Sequence, residues 1–361
     1  MTLPTFIDQP EDLQQLCQQL HGAEFIAVDT EFIRERTYYP QLCLVQVATS
    51  ETMACVDAIT LDITPLNELI LEPTITKVLH AARQDYEIFT QLTGQVPAPL
   101  FDTQIAADLC GLGDQGGFAA VADSLLGVAI DKSHARTDWS RRPLGNEQLQ
   151  YALDDVRYLV PIYERLRQQL TEVGRTEWQQ EECDRLLDPE LYSVTPQDAW
   201  QRLSGLAALD QPRFHAARLL AHWREERAIR LDRPRGWVMR DDVLGRIASL
   251  LPRDEEALGR VKGMPRPLLR KESGQLIQII ERALACDEPA PDLPGPLSRT
   301  ERDLASRMMD EVRQAATEFD ISPSTLATRR DIKALVRGDA SALPLRGWRR
   351  EVIGERLLAL Q

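Results

Sequence analysis

Short apolar runs alternate with amphipathic stretches over the first half of the chain, and amphipathic stretches alone fill the second half. The runs predict strands over 24–30, 42–48, 53–57, 77–80 and 99–102. Leu149, Ala152, Val156, Leu159, Val160 and Tyr163 recur at helical spacing, which predicts a helix with one buried stripe. A shorter helix should run from about Gln84 to Leu92, with Gly94 as its stop signal. Strands and helices interleaved in this order imply a mixed sheet flanked by helices, with three antiparallel strands first.

Beyond a connector from Asp188-Pro189 to Thr195-Pro196, everything reads as helix. Residues 287–296 carry four prolines in ten positions, a stiff linker between two helical modules. The expected organisation is an α/β domain over 1–195, a small all-α bundle over 208–286, a linker over 287–296 and a second small all-α bundle over 297–361.

Candidate chemistry lies in three motifs. In FIAVDTEF, Asp29 and Glu31 end a predicted strand and project to one side, because side chains alternate faces. Two carboxylates that close repel unless a cation separates them, and Mg²⁺ is held by one or two carboxylates plus substrate phosphates. In HAARQDYEIF, Asp85 falls in the first turn of a helix, where a carboxylate also complements the helix dipole. In YALDDVRYL, Tyr151 and Asp155 are four apart and stack on one flank of the buried stripe, whereas Asp154 points to the polar side. Each motif alone has an ordinary structural explanation: an acidic turn, a helix start, a surface aromatic.

Together, in this order, the motifs resemble those of the DEDD superfamily of 3′→5′ exonucleases, in its tyrosine branch. VDTEFIRERTYYPQLCLVQVA, KVLHAARQDYEIF and DKSHARTDWSRRPLGNEQLQYALDDVRYLVPIY resemble the ribonuclease D family more closely still. That resemblance covers about residues 1–195 and implies a ribonuclease-H-like fold. It implies two divalent metal ions, Mg²⁺ or Mn²⁺. Asp29 would be shared between them, Glu31 and Asp155 would complete one site, and Asp85 would hold the second through water. Tyr151 would orient the attacking water, since a tyrosine with an ordinary pKa near 10 positions rather than deprotonates at neutral pH. The substrate implied is RNA with a single-stranded 3′ end, tRNA precursors in particular. A DNA-directed exonuclease and an inactive nucleic-acid-binding protein are the alternatives, and the intact acidic set argues against the second.

Residues 208–286 resemble the helicase-and-ribonuclease-D C-terminal (HRDC) domain, and 297–361 look like a divergent second copy. In the first module, Arg235 and Trp237 interleave cation and aromatic, either as a phosphate and base contact or with Trp237 as a core anchor. Phe32, beside the first acidic pair, could wedge against a terminal base or be buried. His80 is a core-edge or supporting group. Lys132, Arg136, Trp139, Arg141 and Arg142 form a loop before the third motif, expected to be a substrate lip. Asp102 should cap the following helix.

Charge complicates a nucleic-acid reading, because the 361-residue chain carries a net −14. Its distribution helps. Residues 1–199 hold 13 basic against 32 acidic side chains, 200–285 hold 17 against 11, and 297–361 hold 12 against 10. The acidic half needs cations to approach phosphate, and the middle segment can supply attraction. Six cysteines without paired spacing indicate neither a zinc site nor a disulfide framework, and no apolar run is long enough to span a bilayer. These features imply a cytoplasmic protein without a membrane partner. All motif residues precede Val156, so the N-terminal domain is expected to cleave alone while the helical modules hold RNA.

Overall fold

Six strands, β1 (Phe6–Ile7), β2 (Phe25–Ile33), β3 (Gln41–Ala48), β4 (Met53–Asp57), β5 (Thr76–Leu79) and β6 (Leu100–Asp102), form one sheet in the order β1-β4-β3-β2-β5-β6. They are seen in a computed structural model that describes residues 5–113, 117–131, 133–134, 137–193 and 195–361. β3 and β4 run antiparallel, whereas β1 pairs with β4, β2 with β5, and β5 with β6 in parallel. The sheet is therefore mixed, and β2 to β6 lie where the apolar runs put them. β1 escaped notice because two residues carry no period.

Alternation along β2 divides the core. Ile26 and Val28 pack against α1 (Pro10–Leu20), α2 (Thr64–Ile70) and α3 (Arg83–Thr93). Ala27 belongs to the opposite core with α4 (Thr103–Leu109), α5 (Phe118–Leu126) and the long α6 (Asn146–Glu172), which is followed by α7 (Thr176–Leu186). α3 stops at Gly94, whose φ of +72° is the left-handed conformation that a side chain would disfavour.

The chain forms two compact units. The second contains Ser193–Pro296 together with Arg34–Gln41, the segment between β2 and β3. Its helices are α8 (Gln211–Arg230), α9 (Arg235–Val238), α10 (Asp241–Leu250), α11 (Glu255–Gly259) and α12 (Arg266–Leu284), around Phe214, Leu220, Leu244, Ile247, Leu276 and Ile280. Tyr38 is buried there. Its hydroxyl donates to Glu225 at 2.6 Å, Arg202 pairs with the same carboxylate at 3.1 Å, and the Tyr38 N–H donates to Asp232 at 3.0 Å. These tertiary bonds, invisible in a motif, draw residues 34–41 out of the expected 1–195 domain.

The remaining segment, Leu297–Gln361, belongs to the first unit with the sheet, although a proline-rich linker precedes it. It comprises α13 (Arg299–Phe319), α14 (Pro323–Leu326), α15 (Arg329–Val336) and closing helical turns over 347–358. Met308, Val312, Ile332, Trp348 and Leu357 share one core with α4, α5 and α6. Polar contacts reinforce this packing. The buried Asp108 accepts the Ser322 N–H and the hydroxyls of Ser322 and Thr325. Arg349, 2% exposed, pairs with Glu182, and Trp348 stacks on Trp178 with ring centroids 4.4 Å apart. A linker thus precedes a segment whose apolar face packs into the α/β core.

Candidate active site

The middle of β2 and the third turn of α6 bring Asp29, Glu31 and Asp155 together. One carboxylate oxygen from each lies within 4.8 Å of the others, and all three residues are partly buried. Asp154 lies on the outer flank of α6, where it accepts from Gln150 at 2.8 Å and faces Arg157 at 3.8 Å. The helical register thus separates the adjacent aspartates as the buried stripe predicts.

Asp85 sits in the first turn of α3, is 7% exposed, and accepts the hydroxyl of Thr30, the residue between Asp29 and Glu31. It is held close enough for its charge to act on both neighbours without belonging to the three-carboxylate group. The turn before it has an unusual backbone: Ala81 has φ of +59°, which a residue with a side chain rarely adopts. Asp102 stabilises that turn. Its buried carboxylate accepts the N–H groups of Ala81 and Ala82 at 3.1 and 2.9 Å, and that of Gln104 at 2.8 Å. Asp102 therefore caps α4 as predicted and also fixes the entry to α3.

Tyr151 lies one turn before Asp155, its ring 6.1 Å from Trp139 and 6.0 Å from His134. Burial, then Asp155, Glu31 and Asp29, push its hydroxyl above the ordinary range, so it stays protonated. The carboxyls are displaced the same way. Burial, followed by Asp155, Asp85 and Glu31, holds Asp29 well above its usual range. Burial with Asp155 and Asp85 raises Glu31 to about 8; burial with Asp154 raises Asp155 to about 7. Asp85 rises to about 6, chiefly by burial against the lowering effect of Thr30. Acidic groups this crowded hold protons unless a cation neutralises them. The donors in the group are all carboxylate oxygens, a set suited to a hard divalent cation.

Several expected substrate contacts have other work. Trp139 is 2% exposed and packs with Cys43, Leu44, Cys55 and Leu153, so it supports Tyr151 rather than forming a lip. Arg142, expected at the same lip, is engaged elsewhere. It makes a two-pronged ion pair with Asp57 at 2.6 and 2.8 Å, and donates to the carbonyls of Cys43, Trp139 and Arg141. All five N–H donors of its guanidinium are engaged, leaving none for phosphate. Arg141 is exposed and pairs with Asp138. His80 is held at Nδ1 by the Thr103 hydroxyl at 3.0 Å, with its ring against Phe118, as a sheet-edge histidine. Phe32 is half-buried on β2. Lys132 and Arg136 lie outside the described residues.

In the second unit, Trp237 is 62% exposed, which rules out the core-anchor alternative. Arg235 is exposed beside it. Thr30 and His134 were missed by the sequence reading: strand alternation points Thr30 away from Glu31, while nothing local places His134 near Tyr151.

Comparison with known proteins follows the same division. A 3′-5′ exonuclease family matches residues 4–171, and an HRDC-domain family matches residues 214–280. The chain is 41% identical to ribonuclease D of Acidiphilium cryptum, over 99% of this chain and 93% of that one. It is 39% identical to ribonuclease D of Granulibacter bethesdensis, over 99% and 92%. Among solved structures it is similar to Escherichia coli RNase D, described as an exoribonuclease involved in structured RNA processing, with a TM-score of 0.89, 33% identity and coverage of 100% and 98%. The catalytic core of RRP6 from Trypanosoma brucei is similar over 80% of this chain and 81% of that one, with a TM-score of 0.61 and 27% identity.

Proposed function

The chain belongs to the ribonuclease D family of 3′→5′ exoribonucleases, and from that premise we propose that Asp29, Glu31, Asp85, Asp155 and Tyr151 carry out hydrolysis at RNA 3′ ends. The observation that carries this assignment is the convergence of Asp29, Glu31 and Asp155 within 4.8 Å, one turn from Tyr151. The cofactors are two divalent ions, Mg²⁺ or Mn²⁺. Asp29, Glu31, Asp155 and Asp85 would hold them through carboxylate oxygens, donors that suit hard divalent cations. When bound, such ions stabilise the attacking and leaving oxygens of an in-line displacement.

The protein groups do the rest. Thr30 donates to Asp85 and fixes its carboxylate against β2. The protonated Tyr151 hydroxyl, braced by Trp139 and His134, orients the water that attacks the terminal phosphodiester. Positioning and electrostatics dominate such chemistry, because the protein contributes little covalent assistance. The product is a nucleoside 5′-monophosphate and an RNA one residue shorter.

Precursor tRNAs with single-stranded 3′ ends are the substrate class we favour, in keeping with the structured-RNA processing named for the Escherichia coli relative. Arg235 and Trp237 in the HRDC module serve as an RNA contact: the tryptophan face is open, and Arg230, Arg233 and Arg235 have no ion-pair partner among the described residues. No helix among the described residues is long and apolar enough to cross a membrane. That fact and six free cysteines fit a cytoplasmic location. Digestion of 5′- and 3′-labelled RNA and DNA with Mg²⁺, Mn²⁺ or EDTA tests the reading. Metal-dependent shortening of RNA from its 3′ end is expected; preferential DNA digestion or activity in EDTA would overturn it.

A further inference from the structure

α13 and α15 enclose a groove of about 390 Å³ in the segment Leu297–Gln361. Four cationic side chains line it: Arg302 and Arg313 from α13, Arg329 and Lys333 from α15. No carboxylate lines it, in a chain whose net charge is −14. Its floor is apolar, with Met309 and the buried Ile332.

Sequence spacing explains the alignment. Arg302 and Arg313 are eleven residues apart, three helical turns, so they share one face of α13 about 16 Å apart along its axis. Arg329 and Lys333 are four apart and share one face of α15. Arg302 donates to the Leu297 carbonyl at 3.0 Å, and Arg313 pairs with Asp310. Arg329 and Lys333 are exposed and have neither an ion-pair nor a hydrogen-bond partner among the described residues. The exposed Arg350, by contrast, pairs with Glu355 at 2.9 Å. Although Asp310 offsets Arg313, the unpaired Arg329 and Lys333 facing Arg302 leave the groove net positive, which attracts anions.

We propose that this groove binds the phosphodiester backbone of single-stranded RNA upstream of the 3′ end being degraded. The inference builds on the exoribonuclease reading and extends it to a part of the chain that the HRDC family match, residues 214–280, does not reach. A groove running three helical turns exceeds what one phosphate or mononucleotide would occupy, so the ligand is a chain. The apolar floor gives ribose and base a surface, while the cations take the phosphates.

The test is RNA binding by the full-length protein in EDTA, using a 5′-labelled single-stranded RNA of about 20 nucleotides across a range of salt. Arg329→Gln with Lys333→Gln should weaken binding roughly five- to tenfold at about 0.1 M salt and flatten the log–log salt slope by about 1.4, since each lost phosphate contact contributes about 0.7 on single strands. KM for the same RNA should rise with kcat less affected. Lys333→Arg should retain wild-type affinity, and Arg350→Gln should leave affinity and slope alone. Unchanged affinity and slope in a folded double variant that still hydrolyses RNA would overturn the groove and spare the nuclease reading. A flattened slope alongside a wild-type protein unable to hydrolyse RNA would support the groove and sink that reading.

Discussion

The Asp102 carboxylate accepts the Ala82 N–H at 2.9 Å, although twenty residues separate them. With the Ala81 and Gln104 bonds, one side chain holds the turn that aims Asp85 and the start of the next helix. Asp102→Asn replaces one acceptor oxygen by a donor and strands a buried N–H, at a cost of about 1–3 kcal/mol. Thermal melting should show that loss, and Mn²⁺ titration should show a several-fold weaker apparent affinity because Asp85 is no longer fixed. A variant that melts lower but binds Mn²⁺ as wild type would limit Asp102 to stability.

Asp155 and Asp154 are adjacent in sequence and opposite in role. Asp155→Asn should lower kcat by more than about 100-fold, beyond the 10–100-fold typical of groups that merely support metal ligands. Asp154→Asn removes an exposed partner of Gln150 and Arg157 and should leave kcat within about threefold. Steady-state hydrolysis of one RNA by both variants decides between them. The reverse ranking would move the site off Asp155.

Tyr151→Phe keeps the ring against Trp139 and His134 but deletes the hydroxyl. If the hydroxyl positions water, kcat should fall on the order of 100-fold, as small misplacements cost in oriented reactions, with KM changing less. Wild-type activity in the variant would exclude Tyr151 from the chemistry.

The carboxyl shifts fix a direction for pH. Unfolded, these groups titrate near about 4; folded and metal-free, Asp85, Asp155 and Glu31 titrate at about 6, 7 and 8. Between about pH 4 and 8 the folded protein therefore holds more protons than the unfolded chain. Its stability contribution from these groups is full below that window and is lost as pH rises through it. A divalent cation favours the charged forms, so added Mn²⁺ should raise Tm more at about pH 8 than at about pH 5. An equal gain at both values would contradict the assignment.

Much of this was legible in the sequence because it is local. Strands β2 to β6, the stop at Gly94 and the separation of Asp155 from Asp154 follow from period and register. What escaped was tertiary. Arg142 looks like a phosphate ligand until Asp57 and three carbonyls occupy it, and Trp139 looks like a lip until it is found beneath Tyr151. Tyr38 follows the first acidic motif in sequence yet is buried beside Glu225. The prolines at 287–296 carry no information about where the following helices dock.

That docking has a consequence of its own. Arg349→Ala would leave the nearly buried Glu182 with the partly exposed Arg185 at 2.9 Å and the Trp348 indole N–H, so the loss should fall below the about 3–5 kcal/mol of a fully uncompensated buried charge. Deleting residues 297–361 would also uncover the core shared by α4, α5 and α6. Both changes should lower the denaturation midpoint followed by tryptophan fluorescence, through Trp178, which both variants retain. A shortened protein ending at 296 that melts like wild type would show that the α/β core is self-sufficient.

Hydrolysis from the RNA 3′ end through the Asp29 carboxylate is the central claim, and single-turnover digestion of a 5′-labelled single-stranded RNA with Mg²⁺ tests it most directly. Wild type should shorten the labelled strand one nucleotide at a time from its 3′ end, releasing nucleoside 5′-monophosphates. Asp29→Asn, folded to wild-type content by circular dichroism, should leave the strand intact over the same interval. Shortening by Asp29→Asn at within about tenfold of the wild-type rate would contradict it.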